Sequence, residues 1–448
     1  MSAIHVPTAE VQTPERPTLL ARTGRALTHS RGSLADLFAG RDNGVNAIRL
    51  GLAIAVVISH TRPLGFGRDD VGYYFAGRQT NLGNMAVFGF FVLSGMLITR
   101  SARRTGIGRY AWHRILRIYP ALWVCLLVTA LVVGPLVAIH EHGSTAGYWT
   151  TGTGGPLSYL RADWWTGMRQ YGIHDLFATT TPWGRVTGSS VFDGALWSLA
   201  YEMLCYVAVG ILAVTAVLRQ ARRFVLFLLA AVFIKILLDY LHTPGITGPI
   251  VDNSGGFNAP LLGGVSLHWL LYLGLTFLIG MVADLYRERF PIHDGLALVA
   301  AVVLLGSLTI GGFFVAGLPA FAYLLIWLSI RMPRRLHAIG RKNDYSYGIY
   351  IYGFVAQQVM ASYNLQRFGF LPFAGVAIVA AFALAFCSWH VVEKRALRLK
   401  GWAPPLPWRR RAADGSTQPE AAVADVPPAA EGDPATPDGK LVPVPSKA

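Results

Sequence analysis

The chain has 448 residues, 53% of them hydrophobic and only 14% charged, and its mean hydropathy is +0.43. A water-soluble domain of this length has no means of hiding so much apolar surface, so the composition excludes a soluble globular protein and defines an integral membrane protein. The formal net charge of +15 gives no reason to invoke nucleic acid, because its distribution along the chain follows membrane insertion and attraction to anionic lipid.

Residues 1–44 read as a cytoplasmic, mostly disordered tail in which "SLADLFAG" is a candidate for a short interfacial helix. The tail lacks the basic-then-apolar order of a signal peptide, so the first span is expected to be a retained anchor. Runs of the length that crosses a ~30 Å hydrocarbon core as helix follow at 45–61, 82–99, 119–139, 194–218, 223–241, 264–284, 293–311, 313–330, 345–363 and 370–392. Only Gly311 and Gly312 separate the seventh from the eighth. The loop 140–193 is longer than ordinary connections, which marks it as functional or disordered. Its Trp149, Trp164, Trp165 and Tyr171 can stack on sugar rings or form an interfacial belt. Residues 396–448, rich in proline and alanine, are expected to be a disordered cytoplasmic tail.

With ten spans and the N-terminus inside, 29 of the 39 lysines and arginines fall in inner segments, 7 in outer segments and 3 within spans, as the positive-inside rule requires. The expected fold is therefore an all-α polytopic membrane bundle of about ten helices over 45–395, with both termini cytoplasmic. Cys125, Cys205 and Cys387 all lie in apolar runs, which points to packing and not to a disulfide framework or a metal site.

Ionisable residues inside such runs are costly and usually face a polar cavity. Arg49 and His60 lie eleven positions apart, which brings them to within ~20° on one helix face and ~16 Å apart along it. Glu202 in "ALWSLAYEMLCYV" sits at a depth similar to His60 and demands a counter-charge or hydrogen bond. A His60–Glu202 pair is the expected base, because a carboxylate holds one imidazole tautomer and makes the ring a better proton acceptor. Arg114 and Arg117 are one helical turn apart in a basic loop, a spacing suited to bidentate phosphate binding.

These motifs resemble the acyltransferase 3 family of membrane O-acyltransferases. The resemblance rests on Arg49 with His60, "FFVLSG" (Phe90 to Gly95), "RILR" (Arg114, Arg117), "WSLAYE" (Trp197 to Glu202), "SYGIY" (Ser346 to Tyr350) and "VVEK" (Val391 to Lys394), in family order. It implies transfer of an acyl group, often acetyl, from acyl-CoA to a hydroxyl of a sugar or glycan, at a bacterial cytoplasmic (inner) membrane and with no permanently bound cofactor. It implies His60 and Glu202 as catalytic residues and Arg49, Arg114 and Arg117 as the donor site. Phe91, Ser94, Trp197, Ser198 and Tyr347 become possible lining residues. Glycine and serine in "FFVLSG" also fit close helix packing. The chain departs from the pattern at Gly353, where many members carry a histidine after "SYGIY". Many relatives append an outer hydrolase-like domain, and none is seen in this sequence, so transfer is expected within the membrane domain. A multipass transporter or flippase of a lipid-linked sugar is the competing expectation, weakened by the lack of an internal repeat.

Overall fold

A computed structural model describes residues 32–38, 40, 42–242, 255–259 and 261–402. Eight helices among them are long and apolar enough to cross a membrane: α1 (Val45–Phe66), α2 (Leu82–Arg104), α3 (Ile107–His142), α4 (Gly194–Val214), α5 (Arg222–His242), α6 (Leu267–Leu285), α8 (Phe313–Arg331) and α10 (Phe370–Gly401). Two 17-residue helices, α7 (Asp294–Ile310) and α9 (Ser346–Ser362), bring the bundle to the ten anticipated. A helix of that length rises ~25 Å, slightly less than the hydrocarbon core.

α9 carries Gln357 and Gln358 yet is buried along almost its whole length, because it runs through the middle of the bundle and meets protein instead of lipid. Gln357 donates to the carbonyl of Val57 at 2.9 Å and to Thr61 at 3.0 Å, and Gln358 donates to the carbonyl of Val191 at 2.8 Å. α5 is the opposite case: Leu226, Phe227, Ile234 and Leu238 are exposed on a helix that shows little polar character, as a lipid-facing helix does.

The tightest seam joins α2 to α6. A Cβ at Gly95 would lie 2.0 Å from the carbonyl oxygen of Phe277, and one at Gly280 would lie 2.0 Å from that of Val92. The two backbones therefore touch at a reciprocal pair of glycines, the contact that small residues permit in membranes. At one end of the same helices Asp284, almost wholly buried, accepts from Arg100 at 2.9 Å and faces Arg103 at 3.6 Å.

Three membrane helices contain a π turn, at Thr129–Val133, Phe313–Gly317 and Trp389–Glu393. The last turns Glu393, 3% exposed, into the interior, where Ser388 donates to it at 3.3 Å.

The connections are more ordered than the sequence implied. The candidate helix in "SLADLFAG" is present as Leu34–Leu37, with Ser33 and Asp36 forming a capping box on it, and before it β1 (Gly32–Ser33) pairs antiparallel with Pro291–Ile292. The loop 143–193 folds onto the bundle. Asp163 accepts from the backbone N–H of Arg169 at 2.7 Å and of Gln170 at 3.2 Å, and Tyr159 donates to Asp193 at 2.5 Å. Burial pushes the Asp163 carboxyl up to about 7, against the pull of those two N–H groups. Of its aromatics, Trp164 stacks on Trp123 at 5.1 Å, whereas Trp149, Trp165 and Tyr171 are exposed. At the C-terminal end the chain stays helical to Gly401, five residues beyond the expected start of the tail at 396. Residues 1–31, 39, 41 and 403–448 of the tails lie outside the described residues.

Candidate active site

A cavity of about 780 Å³ opens at the basic end of the bundle between α1, α2, α3, α4 and α9. Its mouth carries Arg104, Arg341 and Lys342, its walls Ser94, Glu202 and Tyr347, and its inner end Val87, Phe90, Ser198 and Tyr350. Along α2 the wall runs from Arg104 to Val87, ~25 Å at 1.5 Å per residue. Arg49, Arg114, Arg117 and Phe91 also face this space.

The three arginines picked out by spacing are not equivalent. Arg117 donates to Asp344 at 2.6 Å, and Arg49 lies 3.5 Å from the same carboxylate oxygen. Burial would raise the Asp344 carboxyl, but the Arg117 and Arg49 guanidiniums outweigh it and hold the group well below the usual carboxylate range. Arg114 has no acidic partner among the described residues. Its guanidinium lies over the Tyr206 ring at 5.6 Å, and its Nε is buried without a hydrogen bond. Arg104, Arg341 and Lys342 likewise take part in no ion pair among the described residues.

His60 does not pair with Glu202. Its Nδ1 lies 3.3 Å from Asp70, in the turn that follows α1, and the buried Ser59 donates to the same carboxylate oxygen at 2.9 Å. Glu202 instead accepts from Tyr206 and, at 3.3 Å, from Ser94. The helix packing explains the correction. α1 lies mainly against α2, α9 and α10, whereas α4 lies against α2 and α3, and the depths differ as well: Glu202 meets α2 at Ser94, while Ser59, beside His60, meets it at Gly83, eleven residues or ~16 Å along the helix. His60 is edge-on to Phe354 at 5.4 Å and is not part of the cavity wall.

Trp197 is not a lining residue either: it packs against Tyr201 and Trp269 at the α4–α6 contact. Ser198 does face the cavity and shares a 2.6 Å hydrogen bond with the Tyr350 hydroxyl. A Cβ at Gly353 would lie 2.7 Å from Val57, so the close approach of α9 to α1 leaves no room for a histidine there. Asp70 and Asp344 were missed from sequence. Each carried a signal in hindsight, Asp70 as half of an acidic pair just after the first span and Asp344 as the residue two before "SYGIY".

A deep cavity with an arginine-lined mouth, enclosed by membrane helices and backed by a histidine–carboxylate pair, defines a multi-pass membrane enzyme. The profile described as an acyltransferase domain, that of the acyltransferase 3 family, matches residues 42–390, and the chain belongs to that family and is an acyltransferase. It is 27% identical over 369 residues to an O-acetyl transferase of Shigella phage Sf6, covering 80% of this chain and 96% of that protein. It is 25% identical over 378 residues to nodulation protein 10 of Rhizobium leguminosarum bv. viciae, covering 81% and 95%. No solved structure gives a significant match.

Proposed function

We propose that this protein moves an acyl group, acetyl in the simplest case, from acyl-CoA to a sugar hydroxyl of a cell-envelope or secreted glycan at a bacterial cytoplasmic membrane. The observation that carries the reading is a cavity open at a cationic mouth and ending just short of a histidine held by a carboxylate. The name of the phage relative supports acetyl transfer to oxygen.

The basic end is the cytoplasmic one by the positive-inside rule, and that is where acyl-CoA is made. Arg104, Arg114, Arg341 and Lys342, which form no ion pair among the described residues, hold the donor's phosphates by charge-assisted hydrogen bonds. Arg117 and Arg49, already bound to Asp344, shape the mouth. The pantetheine arm then lies along the cavity past Ser94 and Glu202.

At the far end the Asp70 carboxylate, 3.3 Å from His60 Nδ1, favours the tautomer with its proton on Nδ1 and leaves Nε2 as the base. Nε2 takes the proton of the acceptor hydroxyl, and the oxygen attacks the thioester carbonyl carbon. The C–O ester bond forms, the C–S bond breaks with its electron pair passing to sulfur, and the resulting thiolate receives the proton from the imidazolium.

The test uses full-length protein in nanodiscs, radiolabelled acetyl-CoA and acetyl-free envelope glycan from a deletion strain. Wild type labels the glycan, and His60→Ala binds CoA but transfers nothing. A His60→Ala protein with normal transfer would overturn the reading. Single-cysteine labelling finds residue 165 accessible from outside and residues 104 and 342 from inside. The reverse pattern would sink the assignment of sides.

A further inference from the structure

The donor cavity and His60 do not meet. On α2 the cavity ends at Val87, while Ser59, the neighbour of His60, lies level with Gly83, where a Cβ would come within 3.0 Å of its hydroxyl. The step from Val87 to Gly83 is one helical turn, ~6 Å. On α9 the offset is the same, because Tyr350 lines the cavity and Phe354, four residues on, touches His60.

Three rings stand between the cavity space and His60: Phe90 and Tyr350 line the inner end of the cavity, and Phe354 lies beyond it against His60. Phe90 meets Tyr350 edge-on at 5.8 Å. The Tyr350 hydroxyl is tied to the carbonyl of Ala195 at 2.7 Å and to Ser198 at 2.6 Å. Phe354 presses on the first turn of α4, where a Cβ at Gly194 would fall 2.5 Å from its ring. Tyr350 and Phe354 are each 7% exposed. Acyl transfer needs the thioester carbon within about 3–3.5 Å of the attacking oxygen, so these rings must part by at least the width of the acyl group.

We infer that Phe90, Tyr350 and Phe354 form a closed aromatic partition between the donor cavity and His60, and that the opening they allow selects the acyl chain. The inference rests on the reading of the cavity as the acyl-CoA site. A short acyl group needs only a small displacement of the rings. A longer chain must also displace the hydrogen-bonded Tyr350, whose two partners are backbone and side chain of α4 and cannot follow it.

The experiment compares kcat/KM for acetyl-CoA and hexanoyl-CoA in the nanodisc assay with acetyl-free glycan. Phe90→Ala, which opens the partition, raises the hexanoyl-to-acetyl ratio by about tenfold or more, the size of effect expected of methylenes in an apolar passage. Tyr350→Phe, which releases the ring from Ala195 and Ser198, moves the ratio in the same direction. Phe90→Trp lowers it. If wild type transfers acetyl and His60→Ala does not, yet no partition variant changes the ratio, the partition idea falls and the reaction stands. If wild type transfers nothing from either donor, the donor-site reading falls and takes the partition with it.

Discussion

Replacing Asp70 by asparagine keeps the shape of the turn and removes the charge that faces His60 at 3.3 Å. A charge interacting with the transition-state imidazolium at that distance is worth about 1.3 kcal/mol in water and about 5 kcal/mol at the effective dielectric of a protein surface. Both side chains are about one quarter exposed, which places the effect between these limits. The loss corresponds to roughly tenfold to several thousandfold in rate, with a value near a hundredfold expected for Asp70→Asn. Because the imidazolium exists only while the proton is held, the fall belongs in kcat, and the KM for acetyl-CoA stays near its original value. Asp70→Glu restores part of the activity, and Ser59→Ala, which removes one hydrogen bond to the carboxylate, costs only about two- to tenfold. The assay is steady-state transfer to acetyl-free glycan across acetyl-CoA concentrations. Wild-type kcat in Asp70→Asn, or a change confined to KM, would refute the orienting role.

Arg114→Gln raises the KM for acetyl-CoA by about tenfold or more through loss of a charged hydrogen bond, whereas Arg117→Gln leaves Asp344 with the more distant Arg49 as its cation and shows as lowered thermal stability; equal KM effects from the two would contradict the division between them. Gly95→Val forces apart the backbones of α2 and α6, which already stand 2.0 Å from any added Cβ, and should abolish the monodisperse peak in fluorescence size-exclusion, with Ser94→Ala as the tolerated neighbour. The loop around Asp163 should loosen with rising pH. Its carboxyl is raised to about 7 in the folded chain against about 4 unfolded, so the folded loop holds the extra proton and its stability, full below pH ~4, is lost as pH rises through ~7. Hydrogen exchange of residues 156–170, corrected for intrinsic rates, should accelerate between pH 5.5 and 8 in wild type but not in Asp163→Asn; a flat wild-type profile would contradict it.

Hydropathy located the membrane helices because each apolar run is decided locally, by length. α9 shows what else was at work: the apolar count placed a span at 345–363, but its tyrosines and glutamines are tolerated there only because protein surrounds it. The site was legible as residue types and not as pairings. Position along one helix follows from residue number, but how far one helix is shifted against another, and which helices become neighbours, does not: Glu202 lies level with Ser94 of α2 and His60 near Gly83. That is why Glu202 was matched to His60 while the true partner, Asp70, lay ten residues away in a turn. The same reasoning applies to Arg114 and Arg117. Their spacing is identical in chemistry to a phosphate fork, yet a loop aspartate far along the chain occupies one of them and leaves the other open.

The reciprocal glycines of α2 and α6, with Asp284 fastening Arg100 and Arg103 at one end of the same pair, make these two helices a single rigid body. Sliding either past the other drives backbone into backbone, and tilting them apart strips a buried carboxylate of its cations. Any rearrangement of the bundle that preserves both contacts carries α2 and α6 together.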